Sequence, residues 1–199
     1  MLSDAGHVWM LGSNSGMGFT AKDPERFHLP EDVRVVDLIV IAKSTFFLTS
    51  DGRLFMKTAE NKETTELFPF ESLGNRSPIV AIFGHRHIAA FANAEGQFAL
   101  YVDDTFVHFD NCATFPRHSP VTRASFGYGA HTHCIVLATG ELYRLQGPWQ
   151  DSSTPIAAVK MLDNIRDVSC GSGAVCALTR DGKLFTWGEK SYDDRIYYL

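Results

Sequence analysis

The sequence has neither a long uninterrupted apolar run nor an excess of charge of one sign. Its longest apolar stretch, residues 33–47, is broken by Arg34, Asp37 and Lys43, so it is too polar for a membrane span. The net charge is −5 and the basic residues do not cluster, whereas a nucleic-acid-binding face would need a basic stripe. Asp4 and His7 occupy positions where a secretory signal needs a basic start and an apolar stretch. We therefore expect an intracellular protein, cytoplasmic or nuclear, with no membrane or nucleic-acid partner.

Cysteine is scarce, and the four cysteines show no Cys-x-x-Cys spacing of the kind that binds zinc or supports redox chemistry. Cys134 and Cys176 fall within apolar runs, and Cys170 directly precedes a glycine; Cys112 is the fourth. Buried free cysteine behaves as a small hydrophobic residue. We interpret these residues as structural thiols, as expected in a reducing compartment.

Signatures of catalysis are also missing. There is no Gly-x-Ser-x-Gly nucleophile motif, and the glycine-rich residues 12–18 lack the Gly-Lys-Ser/Thr of a phosphate-binding loop, so we interpret them as a turn. Asp103 and Asp104, like Asp193 and Asp194, are adjacent carboxylates in predicted loops. Neighbouring side chains on an extended chain point in opposite directions, so neither pair is arranged for acid–base work. The sequence predicts no catalytic residue, cofactor or metal site, and hence a protein that is not an enzyme.

What the sequence does contain is a repeat marked by five glycines. They are separated by 46, 44, 44 and 42 residues, and each opens a short apolar run. A period in this range is typical of repeat architectures, in which neighbouring units bury each other's apolar faces. The repeat glycines are Gly6, Gly52, Gly96, Gly140 and Gly182.

Each repeat glycine is predicted to occupy a tight turn between two strands. A polar residue precedes the glycine in four copies, and glycine accepts the positive φ that such turns require. A second apolar run lies before the turn, and short outer strands are expected in the linkers, giving about four strands per repeat. Residues 157–164 are compatible with one or two helical turns, although strand entry is expected at Ile165. The prediction is one all-β domain over residues 1–199. The position two residues after the glycine is apolar in every copy: Val8, Leu54, Phe98, Leu142 and Leu184.

Residues 167–188 resemble a repeat of the regulator of chromosome condensation family. The segment contains, in the order of that family's pattern, Cys-Gly, Ala-Leu-Thr, Asp-Gly and Trp-Gly. The resemblance implies a β-propeller, in which each repeat supplies strands to blades around a central axis. Weaker copies of the pattern cover most of the remaining chain, at residues 6–18, 48–55, 84–91 and 127–145.

The chain departs from the family in length. Propellers of the family usually have about seven blades, whereas this chain has four full intervals and no inner strand ahead of Gly6. We predict an incomplete arc of a seven-bladed type of ring, built from about four to five repeats of 42–46 residues. An unclosed propeller exposes strand edges that can pair with other chains. The chain is then a fragment, or another polypeptide completes the ring, or the open arc lies against a partner; a compact four-bladed ring is the remaining alternative.

Four histidines form two His-x-His pairs at matching positions of the repeat. Alternate residues on a strand share a face, so each pair is compatible with zinc binding. No carboxylate cluster or Cys-x-x-Cys stands beside them, and the family pattern places a histidine on its inner strand, so we favour structural histidines. The residues are His85, His87, His131 and His133.

Two segments are candidate contact sites for a protein partner. The tail, residues 192–199, mixes tyrosine with arginine, and both are frequent interface anchors. A last outer strand packed on its own blade is the equal alternative. Trp149 follows a Gly-Pro pair in a predicted loop, where it either anchors a partner or folds over a blade.

Two functional classes remain. The first is a non-enzymatic scaffold or assembly subunit that uses propeller faces and open strand edges to bind a protein partner, including one that completes the propeller. The second, implied by the resemblance alone, is a guanine-nucleotide exchange factor for a Ran-like small GTPase. Exchange activity in the family depends on an inserted β wedge, and no linker of this chain is clearly enlarged. Fold by itself does not decide between them.

Overall fold

A computed structural model of the chain describes residues 1–14, 19–27, 29, 33–41, 44–58, 63–102, 104–109, 119–127, 132–146, 157–188 and 197–198. These residues form five antiparallel sheets, the first with two strands and the other four with four strands each. Their one helical element is the single 3-10 turn Glu71–Leu73. The all-β prediction is therefore confirmed.

The strands follow one another in chain order within every sheet, so each sheet is an antiparallel meander. Sheet 1 contains β1 (Val8–Asn14) and β2 (Phe19–Phe27). Sheet 2 contains β3 (Val35–Ile41), β4 (Ser44–Thr49), β5 (Leu54–Thr58) and β6 (Thr65–Leu67). Sheet 3 contains β7 (Ile79–His85), β8 (Ile88–Asn93), β9 (Phe98–Val102) and β10 (Thr105–His108).

Sheets 4 and 5 repeat the arrangement. Sheet 4 contains β11 (Val121–Phe126), β12 (His133–Leu137), β13 (Leu142–Gln146) and β14 (Ala157–Leu162). Sheet 5 contains β15 (Ile165–Cys170), β16 (Ala174–Thr179), β17 (Leu184–Gly188) and β18 (Tyr197–Tyr198). The helical alternative for residues 157–164 is wrong, because this segment pairs with β13 through partners such as Leu145 and Ala158.

The repeat glycines occupy the turns that the sequence predicts. All five have positive φ, between 79° and 88°. In all five the glycine N–H donates to the carbonyl three residues earlier, as in the bond of 2.8 Å from Gly140 to Leu137. Each turn joins the second and third strands of a four-stranded sheet, or lies just ahead of β1 in sheet 1. Glycine is favoured here because side chains are strained at positive φ.

Consecutive sheets pack face to face and bury one apolar layer at each junction. Phe27 stacks on Phe47 between sheets 1 and 2, with ring centroids 5.0 Å apart. Phe46 contacts Phe91 and Tyr101 between sheets 2 and 3, each at 5.2 Å. Two further clusters join sheet 3 to sheet 4 and sheet 4 to sheet 5. The first strands of sheets 2 to 5 also contact one another in succession, which makes them the inner strands of propeller blades.

Backbone hydrogen bonds tie three of the turns to the next sheet. The carbonyl of Gly52 accepts from the N–H of Ile79 at 2.9 Å, and that of Gly140 accepts from Ile165 at 2.8 Å. Gly6 and Val35 form the same bond at 3.3 Å. The first residues of β3, β7 and β15 are thus held by the turn of the preceding sheet, so each repeat of the sequence adds one blade to the array.

Candidate interaction surfaces

The register of each hairpin divides its side chains between two faces. Positions six and four before the glycine, and two and four after it, point towards the following sheet; Phe46, Leu48 and Leu54 show this in sheet 2. The intervening positions point towards the preceding sheet, as Phe47 and Phe55 do. This alternation is the two-residue period of a β-strand, so a column of the repeat belongs to one face.

In the described part of the chain, no further sheet packs on the face of sheet 5 that points away from sheet 4, and we call this face open. We define it by Cys176, Leu178, Leu184 and Thr186, the four forward-pointing positions of the last repeat. Cys176 is exposed and the other three are half-buried. The residues that correspond to Cys176, Leu178 and Leu184 in sheets 2, 3 and 4 are at most 4% exposed. They are Phe46, Leu48, Leu54, Ala90, Ala92, Phe98, Cys134, Val136 and Leu142.

The turn of sheet 5 also has no described neighbour on the side where the other turns meet the next sheet. A Cβ added to Gly52 would lie 3.0 Å from Pro78 Cα and 3.2 Å from the Ile79 carbonyl oxygen, because the next sheet begins there. A Cβ added to Gly182 would have no atom of the described residues within 4 Å, although its φ of 86° matches the other turns.

The opposite end of the array also presents apolar side chains to solvent. We define the open face of sheet 1 by Met1, Trp9 and Leu11, which are 71%, 36% and 59% exposed. Met1 belongs to this face because its backbone pairs with Trp9, through bonds of 2.7 and 2.8 Å. The residues at the position of Met1 in the other sheets have no exposed surface: Phe47, Phe91, Ile135 and Val175.

Polar side chains border the open face of sheet 5 at its turn. Lys183 Nζ lies 3.1 Å from Asp181 Oδ2, and Asn164 Nδ2 donates to the other carboxylate oxygen of Asp181 at 3.2 Å. The Thr179 hydroxyl and then Lys183 hold the pKa of Asp181 below its ordinary value, so this carboxylate is charged near neutral pH. An apolar centre with a polar rim is the usual anatomy of a protein–protein interface.

Among the described residues, two open grooves lie between sheets on the side of the array that carries the turns. One, of about 100 Å³, lies between sheets 2 and 3; there Arg76 stands 4.8 Å over the ring of the exposed Phe68. Arg76 also pairs with Glu71. The other groove, of about 340 Å³, lies beside Arg34, whose guanidinium donates to the Asp4 carbonyl oxygen at 3.0 Å. These grooves add charged and aromatic side chains to the surface available to a partner.

The last sheet carries a recognisable family repeat. Residues 165–193 match the regulator of chromosome condensation (RCC1) repeat. Five successive meander sheets around a line of inner strands accompany that match. The chain is an RCC1-like β-propeller. No curated protein matches the sequence.

Solved structures share this fold at low sequence identity. Human WBSCR16 superposes with a TM-score of 0.68 at 15% identity, covering 94% of this chain and 58% of that one. Prp20p from Saccharomyces cerevisiae gives 0.66 at 13% identity, with 94% and 55% covered. The BBS1N chain, solved in complex with ARL6DN, gives 0.56 at 9% identity, with 94% and 60% covered. The chain therefore spans 55–60% of the length of these three proteins.

The histidines that the sequence singles out differ in their exposure to solvent. His85 ends β7 and His87 follows in a turn, both exposed, whereas His133 begins β12 and is buried. Burial, and secondarily the charge of nearby His85, lowers the pKa of His133 to about 4, so its imidazole is neutral at physiological pH. His131 lies outside the described residues. Within the described ranges, no three histidine, cysteine or acidic side chains are grouped so that they could hold a metal ion.

The three described cysteines differ in exposure. Cys134 is buried and Cys170 is half-buried, but Cys176 is exposed. The prediction of a buried thiol is thus wrong for Cys176, because no described residue covers the open face of sheet 5 on which it lies. Its sulfur is 3.7 Å from Thr186 Oγ1. Cys112 lies outside the described residues.

The other sequence predictions are only partly covered by the structure. Tyr197 and Tyr198 pair with β17, as the outer-strand interpretation of the tail expects, while residues 189–196 and 199 lie outside the described part. Trp149, Asp103, Asp193 and Asp194 lie outside it as well. Asp104 accepts a hydrogen bond of 2.8 Å from the Tyr101 hydroxyl.

The turn interpretation of residues 12–18 is corrected in its first part. Gly12, Ser13 and Asn14 continue β1 because they pair with Ala21, Thr20 and Phe19 of β2. Residues 15–18 are not among those described. In the described ranges, no helix is long and apolar enough to cross a membrane.

Proposed function

We propose that this chain is a non-enzymatic protein-interaction scaffold or assembly subunit, in which residues 1–199 act as one domain inside the cell. The observation that carries the proposal is the pair of open end faces. Met1 at one end, and Cys176, Leu178 and Leu184 at the other, occupy positions that are buried in the sheets inside the array. The partner is a protein whose own surface packs on these faces, including one that adds sheets to the propeller.

The energetics support a partner at these faces. Burial of a fully exposed large apolar side chain stabilises a complex by about 1.5–3 kcal/mol. Met1 and Leu11, which are 71% and 59% exposed, would each supply a large part of that amount, and Trp9, Leu178 and Leu184, which are less exposed, would supply smaller parts. Open sheet faces and edges that stay uncovered promote aggregation. A bound partner therefore lowers the free energy of the chain and removes that hazard.

Replacement of an apolar residue by glutamate on each end face tests the proposal. The variants Leu184→Glu and Trp9→Glu are compared with the native chain in co-purification under native conditions, with each preparation checked by circular dichroism. Val40→Glu is the matched control, because Val40 is also an exposed apolar residue, 55% accessible, but lies on inner strand β3. We expect both end-face variants to lose the partner and Val40→Glu to keep it.

The labelling of Cys176 gives a second measurement. Its thiol lies on the open face of sheet 5, so it should react with a maleimide in the isolated protein and be protected in the complex. Equal labelling in both states, together with partner binding that survives Leu184→Glu and Trp9→Glu, would overturn the assignment of the end faces.

Guanine-nucleotide exchange on a Ran-like small GTPase is the second candidate. It is supported by the RCC1-like fold shared with Prp20p, whose structure is described with its binding properties to Gsp1p and histones. The chain covers 55% of Prp20p, so the activity is a proposal for this chain. Release of a fluorescent GDP analogue from a Ran-like GTPase measures it. Accelerated release supports exchange, whereas tight binding without acceleration supports the scaffold.

A further inference from the structure

Two thiols meet at the junction between sheets 4 and 5. Cys134 of β12 is the direct cross-strand partner of Ser125 of β11, and such partners share a face with Cβ atoms about 4.5–5.5 Å apart. The N–H of Cys170, the last residue of β15, donates to Ser125 Oγ at 2.8 Å. Ser125 thereby holds Cys170 close to Cys134, and both cysteines belong to the apolar cluster that joins sheets 4 and 5.

The two cysteines have different environments. Cys134 has no exposed surface, whereas Cys170 is half-buried and remains accessible to a small solute. The neighbouring Cys134 thiol, and after it the Ser125 hydroxyl, hold the pKa of Cys170 below its ordinary value, which favours its thiolate. The proximity of Cys170, followed by burial, raises the pKa of Cys134.

We propose that Cys170 and Cys134 form a redox-modification site, in which a peroxide oxidises Cys170 and the pair then closes to a disulfide between β15 and β12. Accessible thiolates beside a second cysteine are the usual targets of such oxidation. Cys176 lacks this environment, since its sulfur lies near only one hydroxyl, that of Thr186, among the hydrogen bonds of the described residues.

Hydrogen peroxide is the two-electron oxidant in this reaction. The Cys170 thiolate attacks one peroxide oxygen, so that an S–O bond forms, the O–O bond breaks and hydroxide leaves; sulfur loses two electrons and peroxide gains them. The Cys134 thiol then gives up its proton and attacks the sulfur of the Cys170 sulfenic acid. The S–S bond forms as the S–O bond breaks, and the oxygen departs as water with that proton. A dithiol reductant reverses the step by exchange.

The disulfide would join two sheets that are otherwise held by packing and hydrogen bonds. It spans residues 134–170 of the chain, and a link of that length restricts the unfolded state. Because the site lies at an internal junction, it does not depend on the proposed binding role of the end faces. We therefore expect the packing of sheet 5 on sheet 4 to be more stable in the oxidised protein.

Mass spectrometry of the whole chain tests the site. Reduced, desalted protein is treated with a few equivalents of hydrogen peroxide, digested without reductant and searched for linked peptides. We expect a Cys134–Cys170 link in the native chain and in the Cys176→Ser control. The link should be absent from Cys134→Ser, in which dimedone should instead trap the sulfenic acid on Cys170.

Two results would contradict the proposed redox site. Oxidation that falls mainly on Cys112 or Cys176 while Cys134 and Cys170 stay reduced would overturn the proposal, as would dimedone capture on Cys176 in preference to Cys170. Ser125→Ala, which keeps both thiols, should slow the linkage severalfold and raise the pH at which iodoacetamide alkylates Cys170. Circular dichroism identifies folded variants. If Cys134→Ser is unfolded, the comparison of the native chain with Ser125→Ala and Cys176→Ser decides the question.

Discussion

Replacement of two equivalent turn glycines by alanine separates the strain of a backbone conformation from the packing of one blade on the next. Gly52 and Gly182 have φ of 82° and 86°, so alanine meets the same local penalty at both sites. An L-residue in the left-handed region costs about 1–2 kcal/mol. We therefore expect Gly182→Ala to lower the free energy of unfolding by about that amount.

Gly52→Ala carries an additional cost. Its Cβ would contact the Pro78 Cβ and would lie 3.0 Å from Pro78 Cα and 3.2 Å from the Ile79 carbonyl oxygen, so the start of sheet 3 would have to move. Overpacking of this kind costs about 1–3 kcal/mol. The total expected loss is about 2–5 kcal/mol, against total stabilities of about 5–15 kcal/mol for folded domains.

Urea unfolding followed by tryptophan fluorescence measures both losses, with equal m-values as the sign that the same transition is compared. The difference between the two losses in free energy of unfolding measures the cost of the contact with the next sheet. Equal losses for Gly52→Ala and Gly182→Ala would refute the packing argument. Gly182→Val should be more damaging than Gly182→Ala because its side chain is β-branched, and unchanged stability in that variant would contradict the hairpin turn itself.

Two further perturbations follow from the same structure. Leu142 and Leu184 occupy one column of the repeat, but only Leu142 is fully buried; Leu142→Ala should cost about 2–5 kcal/mol in urea unfolding, and Leu184→Ala clearly less. Equal costs would show that the open face is covered. The pKa of His133 is about 4 in the folded chain and near 6.5 in model peptides, so stability should fall as pH drops from 6.5 to 4, by up to about 3 kcal/mol. His133→Gln should flatten that pH dependence, and an unaltered slope would assign it to other groups.

The sequence was sufficient to predict the hairpins because their signals are local. Glycine at positive φ and apolar alternation act within a few residues, so Gly96 and Gly140 identify their turns without knowledge of the rest of the chain. The segment Ala157–Leu162 shows the limit of such reasoning. Its residues are compatible with a helix, and the available edge of β13 makes it a strand.

The candidate sites were much less accessible to sequence analysis. Cys134 and Cys176 have the same residue type in the same column of the repeat, yet one is buried and the other exposed. Nothing within either repeat distinguishes them, because the difference is whether another sheet lies over that face. The contact of Cys134 with Cys170 is likewise a consequence of how sheet 5 sits on sheet 4.

The amino-acid sequence by itself determined the spacing of the turns, the two-faced strands and the repeat that gives an RCC1-like propeller, since these depend on backbone preferences and short-range pattern. The tertiary structure alone decided which of two chemically similar faces is buried and which is open to a partner. The reason is physical: burial is a property of two surfaces brought together, and each repeat encodes only one of them.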